Sequence, residues 1–317
     1  MANIEKKRKY TDKDGNTILE VENGADAKNV DITPVSGMSA TNVQSAIEEL
    51  KAGEGSGGSG TSIPNRIYGK TAYFFGDSLT EGTTGVGSFV PAVKTKAGLA
   101  NAVNKGSSGG TSARLVNIVM GEIVRTGVSS STPPTIDYTG IDAVLIQIGT
   151  NLLPQGMGSV STDIPDMCVN DLPSDISAQN PYSYSESGKT ISSASLESQE
   201  DFFRKCFPNT NVGNIALCVE YIRWKNPACK IYLVTIPPHK GSNNQDPVAM
   251  RTALVGIGER MSVPVIDTYA NSGCALYNIT QWAKHETTSN MDFYVHFNAT
   301  GNDMWSTCIA DYLMRNF

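Results

Sequence analysis

Two strongly apolar runs, Ala143–Ile148 and Lys230–Ile236, most limit the folds that this chain can adopt. Neither run alternates regularly between apolar and polar residues, so each predicts a strand that is covered on both faces. Segments with apolar residues at helical spacing accompany these runs, as in Val212–Lys225 and Val248–Met261. Strands that alternate with helices predict an α/β fold with a doubly wound parallel sheet flanked by helices.

Further elements of the same kind complete the predicted sheet. The predicted strands are Thr71–Phe75, Ala100–Val103 and Val263–Ile266, and the predicted helices are Ser112–Arg125 and Thr300–Phe317. Between Leu152 and Asn211 the chain is rich in Ser, Asn, Asp and Pro and has little periodicity. Long segments of this kind tend to be functional, so we interpret residues 152–211 as an insertion at the mouth of a site.

A run of Gly and Ser from residue 53 to residue 60 divides the chain. Such composition is typical of a flexible linker, and we predict a linker over residues 53–62 between a small region, 1–52, and a large domain, 63–317. In the small region, Thr17–Val21 and Val30–Thr33 are candidate strands. A capping box of Thr41 and Gln44 predicts a short helix over Thr41–Lys51.

Composition excludes several classes of function. The net charge of −6 argues against a nucleic-acid-binding surface. No apolar stretch approaches the roughly 18–20 residues of a membrane span, and the first ten residues lack the apolar core of a signal peptide. The six cysteines form no Cys-x-x-Cys pair and the chain has three histidines, so we expect no metal site. The sequence contains no phosphate-binding or dinucleotide-binding motif, so we expect no cofactor.

Polar motifs follow the predicted strands. Ser78 comes directly after the first strand, a glycine-rich turn around Gly109 after the second, and Asn151 after the third, while His296 precedes the last helix. Strand ends converge at one edge of a doubly wound sheet, so these residues can meet there. A serine needs a base, which His296 can supply. An oxyanion needs preorganised donors, which the backbone N–H of Gly109 and the Asn151 amide can supply.

These motifs resemble those of the SGNH, or GDSL-type, hydrolase family, in family order. The matching blocks are Gly76-Asp77-Ser78-Leu79, Asn104-x-Gly106-x-Ser108-Gly109-x-Thr111, Gly149-Thr150-Asn151 and His296-Phe297-Asn298-Ala299-Thr300-Gly301. The resemblance spans residues 68–317 and implies a three-layer, flavodoxin-like α/β fold. It also implies that Ser78 is the nucleophile, His296 the base, and Gly109 and Asn151 the oxyanion hole.

Two positions depart from the family pattern. The third block usually continues with Asp, but Leu152 follows Asn151 here, which we expect to cost a structural hydrogen bond. The family acid stands three residues before the histidine, where this chain has Phe293, and the nearest acid is Asp292. Either Asp292 orients His296 through a loop with one extra residue, or a backbone carbonyl does so in a Ser–His dyad. We favour Asp292 as the third catalytic residue.

Other polar residues have simpler interpretations. His239 is a rival base, a substrate contact or a loop residue, and His285 is expected to face solvent in a helix-like segment. Asp77 is expected to stabilise its turn, and Asp267 to be structural. Asn151 has the alternative role of a helix cap.

A second resemblance lies near the N-terminus. Residues 40–50, ATNVQSAIEEL, are similar to a segment that recurs in bacteriophage tail fibre and tail-associated proteins, although an ordinary amphipathic helix is an alternative. The resemblance implies that residues 1–52 attach the domain to a virion, made in the host cytoplasm, and associate as a homotrimer with other tail proteins as partners. Together the two resemblances predict an esterase that removes O-acetyl groups from a bacterial surface glycan. The alternative is a receptor-binding module that keeps the fold without turnover, and a host lipase or thioesterase is a further rival.

Overall fold

The computed structural model divides into two compact units, Met1–Pro64 and Asn65–Phe317. The residues that it describes are 7–11, 17–22, 65–82, 86–128, 131–153, 156–164, 166–167, 184–186, 189–190, 207–240, 246–288 and 291–317. No helix among these described residues is long and apolar enough to cross a membrane.

The first unit contains an antiparallel pair of strands. Strand β1 (Lys7–Thr11) pairs with β2 (Thr17–Glu22), and the register shifts between Tyr10 and Thr11. The strand predicted at Thr17–Val21 is therefore confirmed, with one more residue. The strand predicted at Val30–Thr33 and the helix predicted at Thr41–Lys51 lie outside the described residues.

Within the described residues of the second unit, five parallel strands form the central sheet. They are β3 (Thr71–Gly76), β4 (Asn101–Gly106), β5 (Ala143–Gln147), β9 (Lys230–Val234) and β10 (Val265–Ile266), in the spatial order β10-β9-β5-β3-β4. All five were predicted, and this order is the flavodoxin-like one. The doubly wound α/β fold is confirmed.

Helices cover both faces of the sheet. In chain order they are α1 (Ser78–Glu81), α2 (Val90–Ala97), α3 (Ser112–Met120), α4 (Val160–Asp163), α5 (Asn211–Lys225), α6 (Pro247–Met261), α7 (Thr268–Asn271), α8 (Ile279–Trp282) and α9 (Ala299–Asn316), with a 3-10 turn at Leu276–Asn278. Helices α3, α5 and α6 pack on one face, and α2 and α9 pack on the other. Helix α3 ends at Met120 and not at the predicted Arg125, because the next residue, Gly121, adopts a left-handed conformation.

Strand residues divide the core between the two layers. Phe75 packs in the layer of α3 and α5, whereas its neighbour Phe74 packs with α2 and α9. The same alternation holds for Ile146 and Leu145 on β5, because successive side chains of a strand point to opposite faces. A strand buried on both faces needs apolar residues throughout, which explains why the sequence shows no alternation there.

The strand order places a switch point between β3 and β5. The chain leaves β3 toward β4 on one side and reaches β5 on the other side. A crevice opens at such a point, at the carboxyl ends of the strands, where α/β proteins bind their ligands. Ser78 and Asn151 follow the two strands that border this crevice.

Two smaller sheets lie outside the central one. Strands β6 (Asp166–Met167), β7 (Tyr184–Glu186) and β8 (Lys189–Thr190) form an antiparallel sheet in residues 152–211, most of which lie outside the described residues. Strands β11 (Glu286–Thr288) and β12 (Met291–Phe293) form an antiparallel hairpin just before His296. The helix-like segment predicted around His285 is therefore wrong.

Gly106 tests how closely the end of β4 approaches helix α1. A Cβ at this position would overlap the backbone nitrogen and Cα of Glu81, which cannot move without displacing α1. We expect Gly106→Ala to lower the free energy of unfolding by about 1–3 kcal/mol, the usual cost of overpacking. Chemical denaturation of the full chain measures this difference.

Gly256→Ala is the matched control for this prediction. Gly256 lies in α6, and its added Cβ would meet the side chain of Val160, whose nearest atom is a methyl carbon at 3.0 Å. Replacing a helical Gly by Ala favours the helix by up to about 1 kcal/mol, so we expect a much smaller change. Equal effects of the two substitutions would contradict the close approach at Gly106.

Candidate active site

Ser78 is fixed by the turn that joins β3 to α1. Asp77, which is fully buried, caps α1 by accepting a hydrogen bond from the Leu79 N–H through Oδ1 (3.0 Å). Its Oδ2 accepts from the Thr150 N–H (3.1 Å) in the turn after β5. Burial raises the pKa of the Asp77 carboxyl, although these hydrogen bonds oppose the rise. Asp77 therefore bonds nearby backbone, as expected, and joins the serine turn to the turn that carries Asn151.

His296 faces the hydroxyl of Ser78. The distance from His296 Nε2 to Ser78 Oγ is 2.9 Å, and Ser78 is 7% exposed. Hydrogen bonds fix the chain around the histidine. The backbone carbonyl of His296 accepts from the Lys284 N–H (2.7 Å). Two residues later, the Asn298 side chain caps α9 by accepting from the Gly301 N–H (3.0 Å). The predicted nucleophile and base thus lie within hydrogen-bonding distance of each other.

Among the described side chains, the carboxylate beside His296 belongs to Glu286, whereas the sequence predicted Asp292 for this role. The distance from Glu286 Oε2 to His296 Nδ1 is 2.6 Å. Glu286 is in register with Phe293 across the hairpin, whereas Asp292 is in register with Thr287. The side chain of Asp292 lies outside the described part of the structure, so its predicted role stays a prediction. With Glu286 at Nδ1, the dyad held by a backbone carbonyl is not the arrangement found.

The hairpin explains why this acid escaped prediction. Phe293 occupies the place three residues before His296, and Glu286 lies directly opposite it. Facing residues on antiparallel strands have Cβ atoms about 4.5–5.5 Å apart, so the longer Glu side chain reaches the histidine from the facing strand. Lys284 Nζ lies 3.7 Å from the other oxygen of Glu286, Oε1. A carboxylate that is 19% exposed is thus placed between a cation and an imidazole.

The two predicted oxyanion donors lie on adjacent loops. Gly109 is exposed with φ +66°, a left-handed conformation that glycine adopts without steric cost. The Asn151 Nδ2 donates to the carbonyl of Gly110 at 3.3 Å. The Ser107 N–H donates to the carbonyl of Gly76 (2.9 Å), which ties the glycine turn to the end of β3. Residues 152–153, which follow Asn151, are not helical, so Asn151 does not cap a helix there.

The remaining candidates take other positions. His239 is buried, with Nδ1 3.1 Å from the carbonyl of Pro237, so it is not the base that faces Ser78. His285 is exposed and stacks on Tyr294 with ring centroids 5.1 Å apart. Asp267 accepts hydrogen bonds from Arg251 Nε (3.0 Å) and Nη2 (2.6 Å). Burial opposes ionisation of Asp267, but these bonds and the Arg251 charge lower its pKa overall.

Leu152 and the cysteines have structural positions in the parts of the chain that the structure describes. Leu152 packs against the core layer of α3 and α5. The described cysteines have free thiols, and they are Cys218, Cys229, Cys274 and Cys308. In the same described residues, no group of three or more His, Cys, Asp or Glu side chains could hold a metal ion.

Comparison with known proteins identifies the family. The model of the GDSL-like Lipase/Acylhydrolase family matches residues 74–304, which is well over half of the chain. This chain belongs to the GDSL-like lipase/acylhydrolase family. Membership supports an ester-hydrolysing serine hydrolase, and the match includes the serine turn, both donor loops and the histidine. A separate comparison with curated protein sequences finds no match.

Solved structures similar to this GDSL-like chain include three esterases or lipases. A lipase/acylhydrolase from Enterococcus faecalis is 15% identical, with TM-score 0.44, over 77% of this chain and 95% of that one. An aryl esterase from M. smegmatis is 13% identical, with TM-score 0.41, over 77% and 98%. A carbohydrate esterase family 3 protein from Talaromyces cellulolyticus is 16% identical, with TM-score 0.43, over 78% and 97%.

Glu286 and Asp292 offer a matched pair of substitutions. Glu286→Gln keeps the size of the side chain but removes the charge that supports the histidine, so we expect kcat for p-nitrophenyl acetate to fall by about 10²- to 10⁴-fold. Asp292→Asn should leave kcat near the wild-type value. Steady-state kinetics on both variants checks the assignment, and the reverse ranking would return the role to Asp292.

Proposed function

We propose that this chain is a serine esterase that transfers the acyl group of an ester to water through an acyl-enzyme on Ser78. The observation that carries the proposal is the continuous series of contacts from Glu286 Oε2 to His296 Nδ1 (2.6 Å) and from His296 Nε2 to Ser78 Oγ (2.9 Å). A serine hydroxyl is a weak nucleophile until a positioned base accepts its proton. In this series the base is itself oriented by a carboxylate, which is the arrangement that acyl transfer requires.

In the first half of the reaction, Ser78 Oγ attacks the ester carbonyl carbon while its proton passes to His296 Nε2. The carbonyl oxygen becomes an oxyanion, which the Gly109 N–H and the Asn151 amide stabilise. The intermediate collapses, the bond to the leaving oxygen breaks, and His296 returns the proton to the departing alcohol. Glu286 keeps Nδ1 protonated and stabilises the imidazolium that forms between these two transfers.

In the second half, water attacks the acyl carbon and gives its proton to His296 Nε2. The same donors stabilise the second oxyanion. The bond between the acyl carbon and Ser78 Oγ then breaks, the acid leaves, and Ser78 recovers the proton from His296. Two carbonyl additions thus replace one direct hydrolysis, and the protein ends in its starting state.

The alternative, a receptor-binding module without turnover, rests on the displaced acid. Glu286 removes that reason, because a carboxylate lies at hydrogen-bonding distance from Nδ1. The buried Asp77 also maintains the serine turn at a cost in desolvation. A module that only bound its ligand would not need this alignment of three side chains.

We further propose that the ester is an O-acetyl group on bacterial surface carbohydrate and that the protein is part of a phage tail. The tail-fibre-like sequence of residues 40–50 supports the tail assignment, since a tail meets surface glycans. The polar composition of residues 152–211 supports a carbohydrate over a fatty-acyl substrate. The proposed setting is therefore the virion, with other tail proteins as partners.

Labelling and chain-length selectivity test the esterase proposal. We expect a fluorophosphonate probe to label the wild type at Ser78, and Ser78→Ala to lower kcat by about 10⁴-fold or more. Turnover of p-nitrophenyl esters should fall as the acyl chain lengthens beyond acetyl. A Ser78→Ala protein with only a few-fold loss would refute the mechanism, and a preference for long chains would refute the acetyl assignment alone.

Light scattering tests the proposed trimer. The full chain should be an oligomer, most simply a trimer, because the helix that the sequence predicts over Thr41–Lys51 is short and would need an apolar partner. A 61–317 truncation retains the whole of the second compact unit and should be active and less oligomeric. A monomeric full chain at micromolar concentration would refute self-association through residues 1–52.

A further inference from the structure

The side chain of Asn211 links the two loops that carry the oxyanion donors. It is the first residue of α5 and is fully buried. Its Oδ1 accepts a hydrogen bond from Ser112 Oγ (3.0 Å), and its Nδ2 donates to the carbonyl of Gly156 (3.0 Å). Its backbone N–H also donates to this carbonyl, at 3.3 Å. The side-chain amide of Asn211 therefore both accepts and donates a hydrogen bond.

Each partner of Asn211 belongs to one donor loop. Ser112, also fully buried, begins α3 immediately after the turn that contains Gly109. Gly156 donates its N–H to the carbonyl of Leu153 (3.0 Å) and so closes the segment that follows Asn151. Asn211 thus connects the two donor loops through its hydrogen bonds to Ser112 and Gly156.

The direct contact between the two loops is weak by comparison. Asn151 Nδ2 lies 3.3 Å from the carbonyl of Gly110, which is beyond the 2.7–3.2 Å range of well-formed N–H···O bonds. The two bonds of the Asn211 amide are both 3.0 Å. The Asn211 amide therefore makes the shorter hydrogen bonds that connect the two loops.

A second amide holds this connection in place. Asn214 Nδ2 donates to Ser112 Oγ (3.3 Å) and to Asn209 Oδ1 (2.9 Å). Its Oδ1 accepts from Arg125 Nε (2.9 Å), and the Arg125 guanidinium also donates to the carbonyl of Phe207 (2.6 Å). A buried network with bonded members is rigid, so Asn211 cannot rotate away from its two partners without breaking several bonds.

Helix formation does not explain this choice of residue. Thr210 already caps α5, because its Oγ1 accepts from the Gly213 N–H (3.0 Å). Asn211 follows the cap, where an apolar residue would also allow the helix to begin. Its amide is needed only for the bonds to Ser112 and Gly156.

We propose that Asn211 is a positioning residue that sets the spacing of the two oxyanion donors, Gly109 N–H and Asn151 Nδ2. The inference rests on the proposed esterase function and deepens it. Asn211 does not touch the substrate. It acts through the loops, whose donors must meet one developing charge at hydrogen-bonding distance from both sides.

The first experiment compares Asn211→Ala with Asn226→Ala in the full chain. Asn226 ends the same helix and donates to the carbonyls of Tyr138 (2.9 Å) and Ile141 (3.0 Å), near the opposite edge of the sheet. We expect Asn211→Ala to lower kcat per fluorophosphonate-titrated site by about 10- to 100-fold with little change in KM, as for a small misplacement of catalytic groups. Asn226→Ala should lower Tm but leave kcat unchanged.

The second experiment is a double-mutant cycle with Asn151→Ala. Asn151→Ala alone should lower kcat by about 10²- to 10³-fold. If Asn211 acts through the donors, its substitution should cost much less kcat in the Asn151→Ala background than in the wild type. Full additivity, or a kcat effect of Asn211→Ala no larger than that of Asn226→Ala, would overturn the inference.

If Asn211→Ala does not fold, the Ser112→Ala variant tests the same inference. It removes the hydroxyl that bonds Asn211 but creates little space, and it should lower kcat with KM retained. An unchanged kcat in folded Ser112→Ala would overturn the inference, even if the enzyme is labelled at Ser78. Failure of the label itself would instead refute the esterase proposal, so the two failures are distinguishable.

Discussion

The site depends most on the two hydrogen bonds that the buried carboxyl group of Asp77 accepts. This carboxyl group binds the N–H of Leu79 on its own turn and the N–H of Thr150 on the turn after β5. Two neighbouring strands of a sheet can deliver side chains to one edge, but their turns remain free to separate. Asp77 removes that freedom in an interior where an unpaired carboxyl would be costly. The position of Ser78 relative to Asn151 follows from this bond.

The chemistry requires a carboxylate at His296 Nδ1 but does not require a particular strand to supply it. Glu286 meets the requirement from β11, directly opposite Phe293 on β12. The additional methylene of Glu relative to Asp compensates for the distance between the strands. Aromatic Phe293 then occupies the place that the family gives to its acid.

Local patterns in the sequence identified most of the sheet and the four motifs. The five strands are buried or adjoin the core, so a few consecutive apolar residues are enough to predict each of them. Ser78 and Asn151 follow two of these strands in the chain. Glu286 could not be found in this way, because its role depends on the register of two three-residue strands. The Asn211 contacts join residues 55 and 99 positions apart in the chain. No local sequence pattern predicts such contacts, since an asparagine is the same letter in the sequence whether its amide is buried or faces solvent.

The cross-strand position of Glu286 has an evolutionary consequence. Because Glu286 and Phe293 face each other, a lineage can transfer the acid between strands with two substitutions while Ser78 and His296 stay in place. An intermediate with an acid on both strands keeps a carboxylate within reach of the imidazole throughout the transfer. Either acid can then be lost while the other still meets the imidazole, so the two arrangements are connected through sequences that keep the same chemistry.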